Sequence, residues 1–391
     1  MRKIIIIGFV FLTLSNIKIQ AQEQNRAITT AVPFLLIAAD ARAAGMGDQG
    51  VATAPDAFSQ QWNPAKYAFV SKQQGVGVNY TPYLSSLVND IGLGNLTYYN
   101  RFGEDGRSAI SASFKYFSLG EIEFRTDAND LGLIQKPNEL TFDVSYALQL
   151  DPNFSMGITG RYLRSDLKLD AVSEATAASS FGVDISGYYQ SEETAYNSFN
   201  GRWRAGLNIS NIGPKIKYDD AGQEDFLPTT FRAGVGFDFL LDEYNRITPT
   251  LELAKLLVPT PLDPDTNGDG EITSEEQNLA IQEYNEISEF GAIFSSWGDA
   301  PDGFSEELKE FTYALGAEYV YRDVFAFRAG YFNEAEEKGA RKFVSLGAGF
   351  KYTIVNIDLS YLFSTSAVRS PLEGTLRFGL SFNFGEDYYD R

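Results

Sequence analysis

The stretch Leu140-Thr141-Phe142-Asp143-Val144-Ser145-Tyr146-Ala147-Leu148-Gln149-Leu150 decides the fold. Leu140, Phe142, Val144, Tyr146, Leu148 and Leu150 fall on one face, and Thr141, Asp143, Ser145, Ala147 and Gln149 on the other. That strict period of two is a β-strand. The same alternation runs through Val355, Ile357, Leu359, Tyr361 and Phe363, and again through Leu376, Phe378, Leu380, Phe382 and Phe384. These runs outlast the usual globular strand of about five or six residues. Their polar faces carry Ser, Gly, Asn and Thr with scattered charges, where the wet face of a soluble sandwich would carry Lys and Glu. A barrel with lipid outside and a crowded polar lumen inside requires that composition, and an aromatic close at Phe382-Asn383-Phe384 suits an outer-membrane strand.

Working outward, fourteen strands are expected at about 74–83, 90–102, 107–117, 137–150, 153–165, 178–190, 201–211, 227–241, 244–256, 310–322, 324–334, 341–353, 354–365 and 374–385, an even number as in bacterial single-chain barrels. Connections alternate in length. Tight turns at 103–106, 150–152, 241–244 and 322–323 mark the periplasmic end, with 191–200 a longer exception, and long loops mark the exterior. This parity puts the largest insertion, 257–309, outside the cell. The expected class is an all-β transmembrane protein, a 14-stranded antiparallel outer-membrane β-barrel spanning 73–385, with residues 386–391 as a periplasmic tail.

Composition sets the exclusions. The 391 residues include no Cys and no His, so disulfides, thiolate chemistry and imidazole catalysis are out. A net charge of −20 makes nucleic acid a poor partner. Residues 1–21, with Arg2 and Lys3, an apolar run over 4–14 and Ala21, read as a signal peptide, since a spanning helix needs about 20 apolar residues.

Residues 22–72 lack strand periodicity and are rich in Ala and Gly. Fifty such residues have to fold somewhere, and the lumen of a barrel this wide needs filling, so an N-terminal lumenal hatch is expected. Asp143, Arg161, Asp184 and Lys115 on the inner faces would then pair with it. Asn63-Pro64-Ala65 reads locally as a helix start, Asn capping and Pro in the first position.

Pro33-Phe34-Leu35, Asp40-Ala41-Arg42-Ala43, Gly45-Met46-Gly47, Gly50-Val51-Ala52-Thr53, Asn63-Pro64-Ala65 and the later Leu256-Leu257-Val258-Pro259-Thr260-Pro261 resemble the PorV (LptO) family of the type IX secretion system of Bacteroidetes. A broader resemblance is to FadL-like barrels, which also have 14 strands, a hatch and an Asn-Pro-Ala sequence. The family resemblance implies structural hatch roles for Asp40, Arg42, Gly45, Gly47, Asn63, Pro64 and Ala65. It also implies an integral outer-membrane protein, surrounded by outer-membrane lipid, that associates with the type IX translocon barrel. Such a protein binds the C-terminal signal domains of cargo proteins and shuttles them to a sortase-like attachment complex. The alternative is a FadL-like channel for hydrophobic small molecules. The family has been associated with lipopolysaccharide deacylation, but a Ser-His dyad is impossible here. A Ser-Lys or Asp-water route stays open, and the expectation is a non-enzyme.

One motif stands apart. Residues 265–276 fit D-x-[DN]-x-[DN]-G-x5-E over twelve positions. Asp265, Asn267 and Asp269 would offer side-chain oxygens to Ca2+, Glu271 its carbonyl, Thr273 a direct or water-mediated contact and Glu276 two carboxylate oxygens. Ile272 is the expected apolar anchor. Pro259, Pro261 and Pro264 disfavour an entering helix, while 274–288 can form an exiting one, with Thr273 as N-cap and Glu276 three residues on. The competing reading is an acidic surface turn.

Overall fold

The computed structural model describes residues 27–85, 87–125, 132–167, 177–218, 224–265, 267, 269–366 and 370–388. The expected signal peptide and the last three residues of the expected tail lie outside the described residues. Fourteen long strands run in chain order: β1 (Lys72–Pro82), β2 (Ile91–Phe102), β3 (Ser108–Leu119), β4 (Asn138–Asp151), β5 (Phe154–Asp166), β6 (Ala178–Gln190), β7 (Asn200–Ile212), β8 (Thr230–Leu240), β9 (Asn245–Leu256), β10 (Thr312–Tyr321), β11 (Phe325–Asn333), β12 (Lys342–Tyr352), β13 (Val355–Ser364) and β14 (Leu376–Asp387). Each pairs antiparallel with its neighbours in sequence. Val76 against Phe382 and Val78 against Leu380 join β1 to β14 and close the barrel. Closure leaves the sheet without an open edge, as spanning a bilayer requires.

Alternation sorts the side chains as the sequence indicates. On β4, Thr141, Asp143 and Ser145 are buried in the lumen while Phe142, Val144 and Tyr146 stand exposed on the outside. That outer face is the lipid contact of a transmembrane barrel. A strand slipped by one residue would put Asp143 into lipid, which is why the pattern fixes register so firmly.

The 191–199 connection, unexpectedly long for the turn end, is explained by its packing. Thr194–Ala195 adds to the edge of β7, and Tyr196 and Phe199 pack on outward-facing Phe237, with ring centroids at 6.0 and 6.4 Å. Trp203 joins them at 4.7 Å from Phe237. The extra residues build part of an aromatic girdle at the periplasmic interface.

Among the described residues there are four α-helices: α1 (Ala41–Ala44) belongs to the N-terminal segment, and α2 (Ser274–Glu286), α3 (Glu289–Ser295) and α4 (Phe304–Lys309) lie in the 257–311 connection.

Candidate functional site

Residues 31–70 pack against the inward faces of the strands, crossing the lumen from the long-loop end to the turn end. At the long-loop end Ala31, Val32, Phe34 and Leu35 form an apolar cluster with Leu93, Phe117, Leu163, Ala178, Ile216 and Leu227. Phe34 stacks on Phe117 at 6.1 Å, and the Ala31 N–H donates to the Phe226 carbonyl at 2.9 Å. Each such aromatic, fully buried, contributes about 1.5–3 kcal/mol. At the turn end a second cluster gathers Ala65, Tyr67, Phe69, Tyr99 and Tyr188, and Val70 leads into β1.

Between these ends the segment is held by polar contacts, and each motif residue has a definite task. Asp40 caps α1, accepting from the Ala43 N–H at 2.7 Å and from Trp62 Nε1 at 2.6 Å. Arg42 forks onto Glu318 at 2.9 and 3.1 Å and reaches Asp56 at 2.6 Å. Glu318 is also held by Arg328, which continues to Asp358 at 2.6 Å. One guanidinium thus ties the segment to a chain of charges across β10, β11 and β13. Gly45 approaches so closely that a Cβ there would sit 2.9 Å from the Gly347 Cα. Gly47 adopts φ +85, a conformation glycine takes without steric penalty, and its N–H donates to Ser345 Oγ.

Gly50 and Val51 both donate backbone N–H groups to one oxygen of Glu252, at 2.8 and 2.9 Å. Asn63 caps the 3-10 helix Pro64–Phe69, as its sequence position suggests, while its amide donates to the carbonyls of Val51 and Gly187. Pro64 opens that helix, and the Ala65 carbonyl accepts from Ser155 Oγ at 2.7 Å.

The expected pairing of Asp143, Arg161 and Asp184 with this segment is not what the structure shows. Arg161 donates to Asp143 at 2.7 Å and to Asp184 at 3.0 Å, all on β4, β5 and β6, and it also meets Asn211. These charges brace the wall against itself, and the segment uses Glu318, Glu252 and Asn79 instead.

Arg42→Ala removes the cation nearest Asp56 and one of two facing Glu318. Breaking a buried pair by deleting one partner costs about 3–5 kcal/mol, so a large drop in the temperature of heat-modified gel migration is expected. Arg42→Lys, which keeps charge but not the fork, should fall between the two.

In the insertion, α2 begins where expected. Thr273 Oγ accepts from the Glu276 N–H and Glu276 Oε2 accepts from Thr273, a full capping box. Asp265 Oδ2 accepts from the Gly270 N–H at 2.9 Å, Asn267 Oδ1 from Asp269 and Asp269 Oδ1 from Glu271. Glu276 takes a further bond from the Asn267 amide at 2.9 Å. Thr266 and Gly268 lie outside the described residues. Ile272, the expected apolar anchor, is half exposed in this structure.

The described carboxylates that converge within 4.8 Å are instead Asp299, Glu307 and Glu310. Lys255 already lies among them, 2.5 Å from Glu310 and 2.7 Å from Glu307, and Lys338 is 2.9 Å from Glu310. Burial alone would push the Glu310 carboxyl up, but hydrogen bonds from Lys255, Thr260 and Lys338 outweigh it and hold it below the usual range. Asp299, with burial the dominant influence, is pushed up. This network escaped the sequence reading, although Lys255 interrupting the outward series Leu251, Leu253 was its visible signal. Leu257 and Thr260 of the Pro-rich stretch anchor the insertion's root, Leu257 donating to the Thr229 carbonyl and Thr260 Oγ1 to Glu310.

Two cavities open at the turn end, of about 470 and 910 Å³. The first is lined by Arg42, Arg202, Arg204, Glu318, Arg328 and Asp358, the second by Arg101, Arg107, Asp151, Glu192 and Tyr388 among others. The first is predominantly polar, and the second mixes polar groups with Phe69, Leu150 and Pro152.

A closed barrel with an apolar outer face, a polar lumen and its N-terminal segment bonded inside is an integral outer-membrane β-barrel. A family profile described as type IX secretion system protein PorV matches residues 20–263, more than half of the chain. The chain belongs to that family, and is therefore an outer-membrane component of type IX secretion. No curated protein sequence matches it.

Among solved structures, the Ralstonia pickettii toluene transporter TbuX is similar at a TM-score of 0.47 and 11% identity, over 90% of this chain and 100% of that one. The Pseudomonas putida toluene transporter TodX gives 0.45 and 11%, over 87% and 96%. A Pseudomonas aeruginosa FadL homologue gives 0.42 and 12%, over 92% and 99%. At these scores the likeness carries no argument about ligands.

Proposed function

We propose that the protein is a non-enzymatic carrier. It associates with the type IX translocon barrel, takes the C-terminal signal domain of exported proteins as it emerges, and delivers it to a sortase-like attachment complex at the cell surface. The observation that carries this reading, beside family membership, is the filled lumen. An apolar cluster around Phe34 occupies the long-loop mouth, and Arg42, Gly50, Val51 and Asn63 bond the segment to the wall below it. A lumen filled in this way leaves the outer surfaces and loops as the places where a macromolecule would be received. We also propose that the filling segment acts as a hatch.

Affinity capture from the native outer membrane tests the reading. Co-purification of a very large translocon barrel or of cargo signal domains is the expected result. Recovery of neither, together with a bound fatty acid in the lumen and a defect in hydrophobe uptake on deletion, would replace it with the channel reading.

A further inference from the structure

Lys255 stands at an outward position on a membrane strand. Glu252, three residues earlier, faces the lumen, where Gly50 and Val51 donate to it, while Leu251 and Leu253 are exposed outside. Lys255 is opposite Phe231 of β8 in register and belongs to the lipid-facing series. A bare ammonium there would be costly. The side chain is nonetheless fully buried, because α4 lies across it from outside the barrel and brings Glu307 and Glu310 onto it. Glu307 meets Lys255 as a charge pair without hydrogen-bond alignment, and Glu306 is taken by Lys338 at 2.7 Å.

With its acidic side turned inward, α4 presents Phe304 and Leu308, one turn apart, to the outside. On α3, Phe290 and Phe294 have the same spacing, with Ala292 buried beneath against Phe226 and Val258. Phe290, Phe294 and Phe304 are 71, 78 and 77% exposed. The short helix α4, with Glu306 and Glu307 buried and Phe304 and Leu308 outward, is inverted relative to a helix that faces water, and α3 adds two exposed Phe beside it. Trp297 links this patch to the barrel, its ring 5.2 Å from outward-facing Phe231 and 6.2 Å from Phe311. From there the apolar surface continues into Leu253, Leu315 and Val235 of the lipid band.

We propose that α3 and α4 lie in the outer leaflet of the membrane, with Phe290, Phe294, Phe304 and Leu308 against acyl chains and Trp297 at the interface. The occupant follows from continuity: the patch extends an apolar surface that lipid already covers, and it restores that surface over Lys255. Interfacial helices bind bilayers with this division of faces. The insertion is thereby fixed laterally beside β8–β10 and not held clear of the bilayer.

The absence of cysteine makes the test direct. Single variants Phe294→Cys and Phe304→Cys are spin-labelled, reconstituted in vesicles of phosphatidylethanolamine and phosphatidylglycerol, and probed by power saturation with O2 and a water-soluble nickel chelate. Leu251→Cys in the lipid band and Glu275→Cys on exposed α2 are the references. The O2-to-nickel accessibility ratio at 294 and 304 should exceed that at 275 severalfold and approach that at 251. A ratio equal to that at 275 would mean a water-facing patch, and protection from both reagents would mean a protein cover or a second copy; either overturns the proposal. Brominated acyl chains give a second readout that leaves α3 and α4 untouched. In a Trp203→Phe variant they should quench the emission of Trp297, and unchanged emission would contradict the placement.

Discussion

Deleting residues 27–47 should turn a filled barrel into a conducting one. The deletion takes away Phe34 and Leu35, which occupy the long-loop mouth, and α1, which lies against β12, β13 and β14. What it exposes is polar: Glu318, Arg328, Asp358 and Arg377 line that side of the wall, and Arg377 loses its crowded surroundings beside Asp48, 2.8 Å away. Water enters a cavity with such walls, whereas it stays out of an apolar one. Planar bilayers containing the variant should therefore show sustained steps where the parent shows only leak. Gly330→Val provides the same test without shortening the chain. Even a Cβ at this position would sit 2.0 Å from the Met46 carbonyl carbon, so the segment has to shift, at a cost of about 1–3 kcal/mol or more. Large steps already present in the parent, unchanged by either variant, would remove the hatch from the reading.

Much of this architecture was legible in the sequence because a membrane strand has only two environments. Leu140 to Leu150 states its lipid and lumen faces residue by residue, and every strand begins and ends within about three residues of where alternation puts it. Thr273 and Glu276 announced α2 through a local device, the capping box, which depends on residues three apart. The contacts inside the lumen were not legible. Arg42 and Glu318 are 276 residues apart, and nothing in the composition of either neighbourhood names the other. Asp143, Arg161 and Asp184 looked equally available to the segment and turned out to serve each other, since neighbouring strands place them within reach before any segment enters.

The helices α3 and α4 were missed for a related reason. Their apolar residues face away from the protein, so a periodicity taken as a core stripe finds no core to face. The hairpin formed by Ile122–Phe124 and Leu133–Gln135 within the β3–β4 loop was too short for its pattern to be seen.

We propose that residues 265–276 bind Ca2+ at the cell surface and order the loop ahead of α2. Asp265, Asn267 and Asp269 already turn their side chains back onto the loop's own N–H groups, with Gly270 at φ +80 making the reversal. In this arrangement Glu276 is occupied by Thr273 and by the Asn267 amide. Turning that amide over would present oxygen in place of nitrogen beside Glu276. Six to eight flexible oxygen ligands suit calcium better than the rigid octahedron of magnesium, and extracellular sites bind at about 0.1–1 mM. At ten times that Kd the ion would add about 1.4 kcal/mol to the folded state.

Titration calorimetry on the purified barrel should detect the binding, and Asp269→Ala and Glu276→Gln should each weaken it by about tenfold or more. Glu276→Gln is the informative variant. Glutamine can complete a capping box as glutamate does, so α2 remains while a charged bidentate ligand is lost. A parent that gives no calcium-dependent heat, or variants that bind as it does, would leave 265–276 an acidic turn whose Asp, Asn and Gly are there for backbone reversal alone.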